Sequence, residues 1–191
     1  MSCSNISYKP NLTLTLNCME KDELIHLLKE CGAIQFGRFV LTSGAISDYY
    51  IDIKKASTSP NILEKIAQAM ADYAEGYDLL AGMELGAVPL VVALSLVTKI
   101  PYVIIRKMDR EHGTGKQIEG GDVKNKKILV IEDVTTSGGS LVKTLNILRE
   151  NKGKVDEVLV VVDRESGAEE RLRDLDVNFI PLLSVSDILK K

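Results

Sequence analysis

From Leu79 onward, short apolar runs alternate with segments of helical pattern, and this alternation constrains the fold more than any other feature of the sequence. The apolar runs that are candidate strands are Leu79–Met83, Tyr102–Ile105, Ile128–Ile131, Val158–Val162 and Val177–Leu182. Apolar runs without polar alternation are typical of parallel strands covered on both faces, and such strands are joined by crossover helices. We therefore predict an α/β fold with a doubly wound, mostly parallel five-stranded sheet.

The segments between these runs fit the same architecture. Helical spacing predicts helices near Val88–Thr98, Ser140–Glu150 and Ala168–Leu175, whereas Lys107–Lys124 is a polar loop. A chain of 191 residues is long enough for one substantial core but short for two domains of ordinary size. We therefore predict a single domain over residues 18–191, preceded by an N-terminal extension over residues 1–17.

The N-terminal part of the predicted domain has a different pattern. Helical spacing and terminal residues predict a helix between Asn17 and Gly32. Phe39–Leu41 and Tyr49–Ile53 flank a Ser-Gly turn signal, which predicts a pair of hairpin strands. A further helix is predicted to begin at Pro60.

Composition excludes several classes of function. The net charge of -3 and the absence of tryptophan argue against a surface for nucleic acid. The three cysteines have neither a zinc-binding nor a disulfide-framework spacing, so we expect a reducing, cytoplasmic location. The longest apolar stretch, Val88–Val97, is too short to span a bilayer, so we expect no membrane association.

The segment Ile128–Ser140 carries the strongest chemical signal. A buried strand leads into Glu132 and Asp133, and small hydroxyl and glycine residues then open a helix. Free backbone N–H groups and the helix dipole favour a phosphate at that helix start. The two acids suit hydroxyl donors or a magnesium-bound sugar. A loop whose acids only cap a helix is the alternative, but the combined pattern favours a ribose 5-phosphate site.

A basic loop, Arg106–Lys116, follows the second predicted strand of the sheet. It combines four cations with His112, one of two histidines in the chain. Such a loop fits a lid that closes over a polyanion and stabilises the charge of a leaving group. The alternative is a solvated surface loop, which its charge alone does not exclude. The position after a strand favours the lid.

Two other strand ends carry weaker signals. Arg164 is placed to pair with a substrate carboxylate or carbonyl, although a surface salt bridge with Asp163 or Glu165 is the simpler interpretation of that residue alone. The glycines of Gly82–Pro89 would let the backbone approach a pyrophosphate. A tight turn between strand and helix explains them nearly as well.

These residues together resemble a known family. Val130–Ser140 resembles the binding motif for 5-phosphoribosyl-1-pyrophosphate (PRPP) of the type I phosphoribosyltransferases. Phe36–Gly44, Tyr49–Asp52, Arg106–Gly115 and Asp163–Glu165 resemble the orotate-specific branch of that family. The resemblance extends from Phe36 to about residue 186. It implies the type I phosphoribosyltransferase fold with a small N-terminal hood, formed mainly by about residues 18–58.

The resemblance implies transfer of a phosphoribosyl group from PRPP to orotate, which yields orotidine 5′-monophosphate and pyrophosphate in pyrimidine biosynthesis. It assigns catalytic roles to Arg110, His112, Glu132 and Asp133. It assigns substrate binding to Arg106, Lys107, Val134, Thr135, Thr136, Ser137, Gly138, Gly139, Ser140 and Arg164. Magnesium is expected to be carried by PRPP rather than by protein ligands. A homodimer is expected, in which the basic loop completes the site of the neighbouring subunit.

Two residues depart from the enterobacterial type of this family. Arg110 stands at a lysine position, which keeps the charge but places a proton-donor role in doubt. Gly86 stands where that type has a pyrophosphate-contacting lysine. Part of the pyrophosphate binding must therefore come from the backbone or from Arg106 and Lys107. The competing hypotheses are a purine phosphoribosyltransferase and a non-catalytic regulator that senses PRPP and binds nucleic acid.

Overall fold

The computed structural model describes residues 16, 18–40, 44, 46–107 and 117–190. Its helices are α1 (Cys18–Glu30), α2 (Ile53–Ser57), α3 (Pro60–Ala71), α4 (Ala87–Thr98), α5 (Gly139–Glu150), α6 (Ala168–Arg173) and α7 (Val185–Leu189). Its strands are β1 (Ile34–Val40), β2 (Ile46–Ile51), β3 (Leu79–Met83), β4 (Tyr102–Ile105), β5 (Ile118–Glu119), β6 (Lys127–Thr135), β7 (Lys154–Asp163) and β8 (Asn178–Ser184). A short 3-10 turn, Asp72–Ala74, follows α3.

The main sheet has the strand order β5-β4-β3-β6-β7-β8. The five predicted strands are present and pair in parallel, which confirms the predicted sheet. A sixth strand, β5, pairs antiparallel with β4 at the edge. It was not predicted because its two residues lie within a polar loop and show no apolar run.

Strands β6 and β7 extend beyond the predicted apolar runs at both ends. Their pairing continues through Val134 with Val162 and through Thr135 with Asp163. Glu132 and Asp133 were predicted to follow the strand, but they lie within it. Inter-strand hydrogen bonds therefore fix the backbone of both acids, which a loop would leave less constrained.

The N-terminal hairpin is formed by β1 and β2, which pair antiparallel with an irregularity between Phe36 and Phe39. The first strand begins earlier than predicted, at Ile34. The second ends at Ile51, whereas the prediction extended it to Ile53. Ile53 instead begins α2, where its side chain is fully buried in the core. Leu41 lies outside the described residues.

Both faces of the sheet are covered by helices. One hydrophobic cluster joins α1, α3 and α4 to the sheet, through Leu28, Ile66 and Leu90 among others. The other cluster packs α5 against β6 and includes Leu145 and Val130. Because residues of α1 belong to the first hydrophobic cluster, α1 is packed onto the sheet domain rather than separate from it. The division at residue 17 stays a prediction, since residues 1–17 lie outside the described part except for Leu16.

Among the described residues, every helix is too short or too polar to span a lipid bilayer.

Candidate active site

The predicted site lies at the carboxyl ends of the parallel strands, as expected for an open α/β sheet. Strands β6 and β7 are neighbours there, and Thr135, two residues after Asp133, pairs with Asp163, the residue before Arg164. Glu132 is buried, at 6% exposure, and Asp133 is half-buried. We call Glu132 and Asp133 the acid pair.

Glu132 is held by two hydrogen bonds, one of which connects the acid pair to α5. The Ser140 hydroxyl donates to Oε2 over 2.9 Å, and the Asp133 backbone N–H donates to Oε1 over 3.1 Å. Burial raises the pKa of Glu132, and the adjacent Asp133 side chain raises it further, despite the opposing effect of the Ser140 hydroxyl. The acid pair thus places a carboxyl with an increased tendency to hold a proton beside a second carboxylate.

The loop between β6 and α5 leaves the helix start open to a ligand. Gly138 has a left-handed backbone, with φ of 74°, and caps α5 without a side-chain hydrogen bond. Thr136, Ser137, Gly139 and Ser140 are exposed around it. The first N–H groups of a helix need acceptors, and an anion such as phosphate satisfies them. The predicted phosphate residues are therefore brought together at one helix start.

Three buried polar atoms at the predicted site have no hydrogen-bond partner within the described residues. They are Thr135 Oγ1, Arg106 Nε and Arg164 Nε. Buried polar groups are normally paired, so unpaired atoms of this kind indicate places where a ligand or water completes the bonding. All three belong to residues predicted to bind substrate.

Arg164 faces the hairpin rather than its sequence neighbours. Its guanidinium carbon lies 5.0 Å from the centre of the Tyr49 ring, and its backbone N–H donates to the Thr135 carbonyl over 3.0 Å. The Glu165 carboxylate instead accepts from Ser186, over 2.6 Å from the hydroxyl. The simple salt bridge that the sequence suggested is not formed with Glu165. We call Tyr49, Thr136 and Arg164 the base site, after the role that the family resemblance predicts for Thr136 and Arg164.

The start of the basic loop is anchored on both sides. Arg106 Nη1 lies 3.5 Å from Glu119 Oε1, and the Lys107 N–H donates to Glu84 Oε1 over 2.9 Å. The Lys143 ammonium donates to the Lys107 carbonyl. Arg110 and His112, the predicted catalytic residues of the loop, lie outside the described residues. Arg106 and Lys107 are therefore placed at the sheet edge, while the geometry of the other two stays a prediction.

Sequence reasoning gave little weight to Gly82–Pro89, yet this turn contacts the acid pair. A Cβ atom added at Gly86 would lie 2.0 Å from Asp133 Oδ2, so a side chain at this position requires the carboxylate to move. The lysine that the enterobacterial type has here is sterically incompatible with this position of Asp133. The Glu84–Leu85 peptide bond in the same turn is cis.

Lys54 lies at the site as well, and the sequence analysis missed it. Its Nζ atom lies 3.0 Å from Asp52 Oδ1 and 3.9 Å from Asp133 Oδ2. The only sequence signal was a pair of lysines that follow a hairpin strand, which is a common surface pattern. No group of three or more His, Cys, Asp or Glu side chains within the described residues is arranged to hold a metal ion.

The chain was compared with protein families, with characterised proteins and with solved structures. Residues 53–181 match the phosphoribosyl transferase domain family. An orotate phosphoribosyltransferase of Pyrococcus horikoshii is 51% identical over 174 residues, which cover 89% of this chain and 94% of that protein. The crystal structure of orotate phosphoribosyltransferase from Aeropyrum pernix superimposes with a TM-score of 0.80 at 30% identity, covering 87% of this chain and 96% of that one.

A second similar structure contains a ligand. The orotate phosphoribosyltransferase of Mycobacterium tuberculosis in complex with PRPP gives a TM-score of 0.74 at 26% identity, covering 88% of this chain and 98% of that chain. These relatives span almost the whole of the described domain.

Proposed function

The chain belongs to the orotate phosphoribosyltransferases, and we infer that it transfers the phosphoribosyl group of PRPP to orotate. The products are orotidine 5′-monophosphate and pyrophosphate, and the reaction is part of pyrimidine biosynthesis. The observation that carries this function is the hydrogen bond from Ser140 to Glu132. It joins the acid pair to the open start of α5, so hydroxyl acceptors and a phosphate site lie side by side.

For the donor, we propose that the acid pair binds the ribose hydroxyls and that Thr135–Ser140 bind the 5′-phosphate. The exposed helix start offers backbone N–H donors, and no side chain caps it. Val134 is half-buried between these two groups and would contact the sugar. The two groups are adjacent along β6 and α5, which supports a site for a single ribose 5-phosphate.

For the acceptor, we propose that the base site binds orotate. Arg164 is anchored by its backbone and by the Tyr49 ring, and its buried Nε has no partner within the described residues. Guanidinium groups bind carboxylates through two parallel hydrogen bonds. Thr136 is exposed at the same edge and would contribute its hydroxyl.

The reaction breaks the bond between the ribose C1 and the pyrophosphate oxygen and forms a bond from C1 to a ring nitrogen of orotate. That nitrogen loses its proton, which the departing pyrophosphate or water accepts. Positive charge develops on the sugar, and the nearby acid pair would stabilise it. Arg106, Lys107, Arg110 and His112 would stabilise the departing pyrophosphate. Magnesium carried by PRPP would offset part of the pyrophosphate charge when bound, and the carboxylates of the acid pair are compatible with a magnesium-bound sugar.

A homodimer that shares the basic loop is also part of this proposal. The proposal rests on the family resemblance; Leu85 and Leu96, at opposite ends of the α4 region, are 74% and 67% exposed and are apolar side chains that such an interface would cover. Mixing inactive Asp133→Asn and Arg110→Ala subunits provides a test. If the loop acts across the interface, the mixed dimer contains one intact site and regains activity. If the loop acts within its own subunit, both sites stay defective.

The function is tested by incubating the protein with PRPP, magnesium and orotate. Consumption of orotate with release of pyrophosphate is expected. Turnover of a purine base without turnover of orotate would instead assign a purine phosphoribosyltransferase. Tight, PRPP-sensitive DNA binding without turnover would assign a regulator. The cytoplasmic location stays a prediction from the cysteine content.

A further inference from the structure

The N-terminal hood brings a lysine to the acid pair. Lys54 lies in the first turn of α2, and its Nζ atom is shared between Asp52, at 3.0 Å, and Asp133, at 3.9 Å. The ion pair with Asp52 raises the pKa of Lys54 against the opposing effect of partial burial, and Asp133 raises it further. Lys54 therefore presents a positive charge to an acid that the donor sugar would contact.

The other groups around Asp133 show why the positive charge of Lys54 matters for its carboxylate. On one side Gly86 lies so close that an added Cβ would overlap the carboxylate. The neighbouring acid, Glu132, contributes a further carboxyl group. Within the described residues, Lys54 supplies the only cationic nitrogen within 4.0 Å of the Asp133 carboxylate. Within the described residues, the Asp133 carboxylate thus lies between the Gly86 backbone on one side and the ammonium group of Lys54, its one nearby cation.

Lys54 is itself held in place by its neighbours. Ile53 is fully buried, which anchors the start of α2 in the core. Asp52 precedes the helix, and its backbone N–H donates to the Ala33 carbonyl over 2.8 Å. The ammonium group is therefore attached to a rigid part of the hood, although its side chain is 51% exposed.

We propose that Lys54 is a positioning residue that holds Asp133 in the orientation that binds the ribose of PRPP. The hood then contributes to donor binding through Lys54 as well as to orotate binding through Tyr49. This inference rests on the proposed function. In this chain, a cation on the hood stands near the acid pair, whereas the strand-to-helix turn at Gly86 has no room for one.

The test compares Lys54→Met with Lys54→Arg and with a matched control, Lys55→Met. Lys55 is the next residue in the same helix, but its ammonium group lies beside Gly32, 2.7 Å from the position of an added Cβ there. Lys54→Met is expected to raise the KM for PRPP roughly three- to tenfold, with a smaller change in kcat and in the KM for orotate. Lys54→Arg should restore most of the loss, and Lys55→Met should match the wild type.

A double-mutant cycle separates positioning from a general effect on the site. Calorimetric titration with magnesium-PRPP measures binding to the wild type, Lys54→Met, Asp133→Asn and the double variant. If Lys54 acts through Asp133, Lys54→Met causes little further loss once Asp133 is replaced. Equal losses in both backgrounds would overturn the proposal, as would an unchanged KM for PRPP in Lys54→Met.

Folding and function are checked separately. Thermal unfolding of each variant establishes that the fold is retained, and Lys54→Gln replaces Lys54→Met in both measurements if the methionine variant is unstable. An inactive wild type would reject the proposed function itself. An active wild type with an unaffected Lys54 variant rejects only the role of Lys54.

Discussion

The guanidinium carbon of Arg164 lies 5.0 Å from the centre of the Tyr49 ring, so the end of β7 and the hairpin strand β2 meet across the base site. The two residues are far apart in the sequence, and neither is distinctive alone. Their contact restrains a guanidinium whose Nε has no hydrogen-bond partner within the described residues. Stacking of arginine on an aromatic ring restricts the side chain without consuming its hydrogen-bond donors.

Replacing Arg164 with alanine should weaken orotate use far more than PRPP use. Loss of a charge-assisted hydrogen bond costs roughly 1.5–3 kcal/mol, so kcat/KM for orotate should fall about 10- to 100-fold. The KM for PRPP should stay within about twofold of the wild-type value. Steady-state kinetics with each substrate varied in turn provides the measurement. Unchanged orotate kinetics would show that the base site is assigned incorrectly.

Two substitutions of Tyr49 distinguish the contribution of its ring to orotate binding from that of its hydroxyl. Tyr49→Phe keeps the ring beneath Arg164, so the KM for orotate should change little. Tyr49→Leu removes the ring and should raise that KM about threefold, because an exposed cation–π contact contributes roughly 0.5–1 kcal/mol. Equal effects of the two variants would mean that the ring does not position Arg164.

Asp133→Asn should nearly abolish PRPP use while leaving the fold intact. The substitution keeps the size of the side chain but removes the charge next to the ribose. We expect kcat/KM for PRPP to fall at least about 100-fold. A melting temperature close to that of the wild type would show that the fold is retained. Full activity of this variant would contradict the assignment of the acid pair.

Gly86→Ala tests the steric limit beside Asp133. The new Cβ would lie 2.3 Å from the Asp133 Cγ, so the carboxylate must turn away. We expect a stability loss of roughly 1 kcal/mol but a large rise in the KM for PRPP. Gly121→Ala is the matched control, because its added Cβ would meet only Val103 Cγ1, at an ordinary 3.8 Å. Similar kinetics of the two variants would argue against the steric limit.

Glu132→Gln should change how stability depends on pH. Burial raises the pKa of Glu132 in the folded state, so its protonated form favours folding at low pH and this contribution is lost as pH rises through the raised pKa. The free energy of unfolding of Glu132→Gln minus that of the wild type should therefore be larger at about pH 9 than at about pH 5, by about 1 kcal/mol or more.

Chemical denaturation of the wild type and Glu132→Gln at both pH values measures this difference. Glu150→Gln, which replaces an exposed carboxylate at the end of α5, serves as the control and should follow the wild type. A constant difference between Glu132→Gln and the wild type across the pH range would contradict the prediction.

The parallel strands were predictable because burial on both faces leaves a local signature. Leu79–Met83 and Tyr102–Ile105 have the bounds predicted for them. The extensions of β6 and β7 were missed because polar residues at strand ends pair through their backbones, and backbone pairing has no sequence pattern. Ile53 was assigned to the wrong element because one buried isoleucine fits a strand as well as a short helix.

The same distinction between local sequence patterns and contacts made only by the fold applies to the candidate site. Ser140 and Glu132, which the structure joins by a hydrogen bond, could be predicted to lie together because their strand-to-helix context is continuous in the sequence. Lys54, Glu84 and the contact of Gly86 with Asp133 depend on segments brought together only by the fold. Their chemistry was visible in the sequence, but their proximity was not.

The bond between the Arg106 N–H and the Gln117 carbonyl, 2.8 Å long, joins the chain just before and just after residues 108–116. Both ends of that segment therefore leave the sheet at one point. Because this bond holds the flanking residues together, we expect that the segment between them can be exchanged for one of another length and composition without disturbing the register of β4. The proposed role of this segment in leaving-group stabilisation can accordingly be studied by exchanging the whole segment while the sheet is left unchanged.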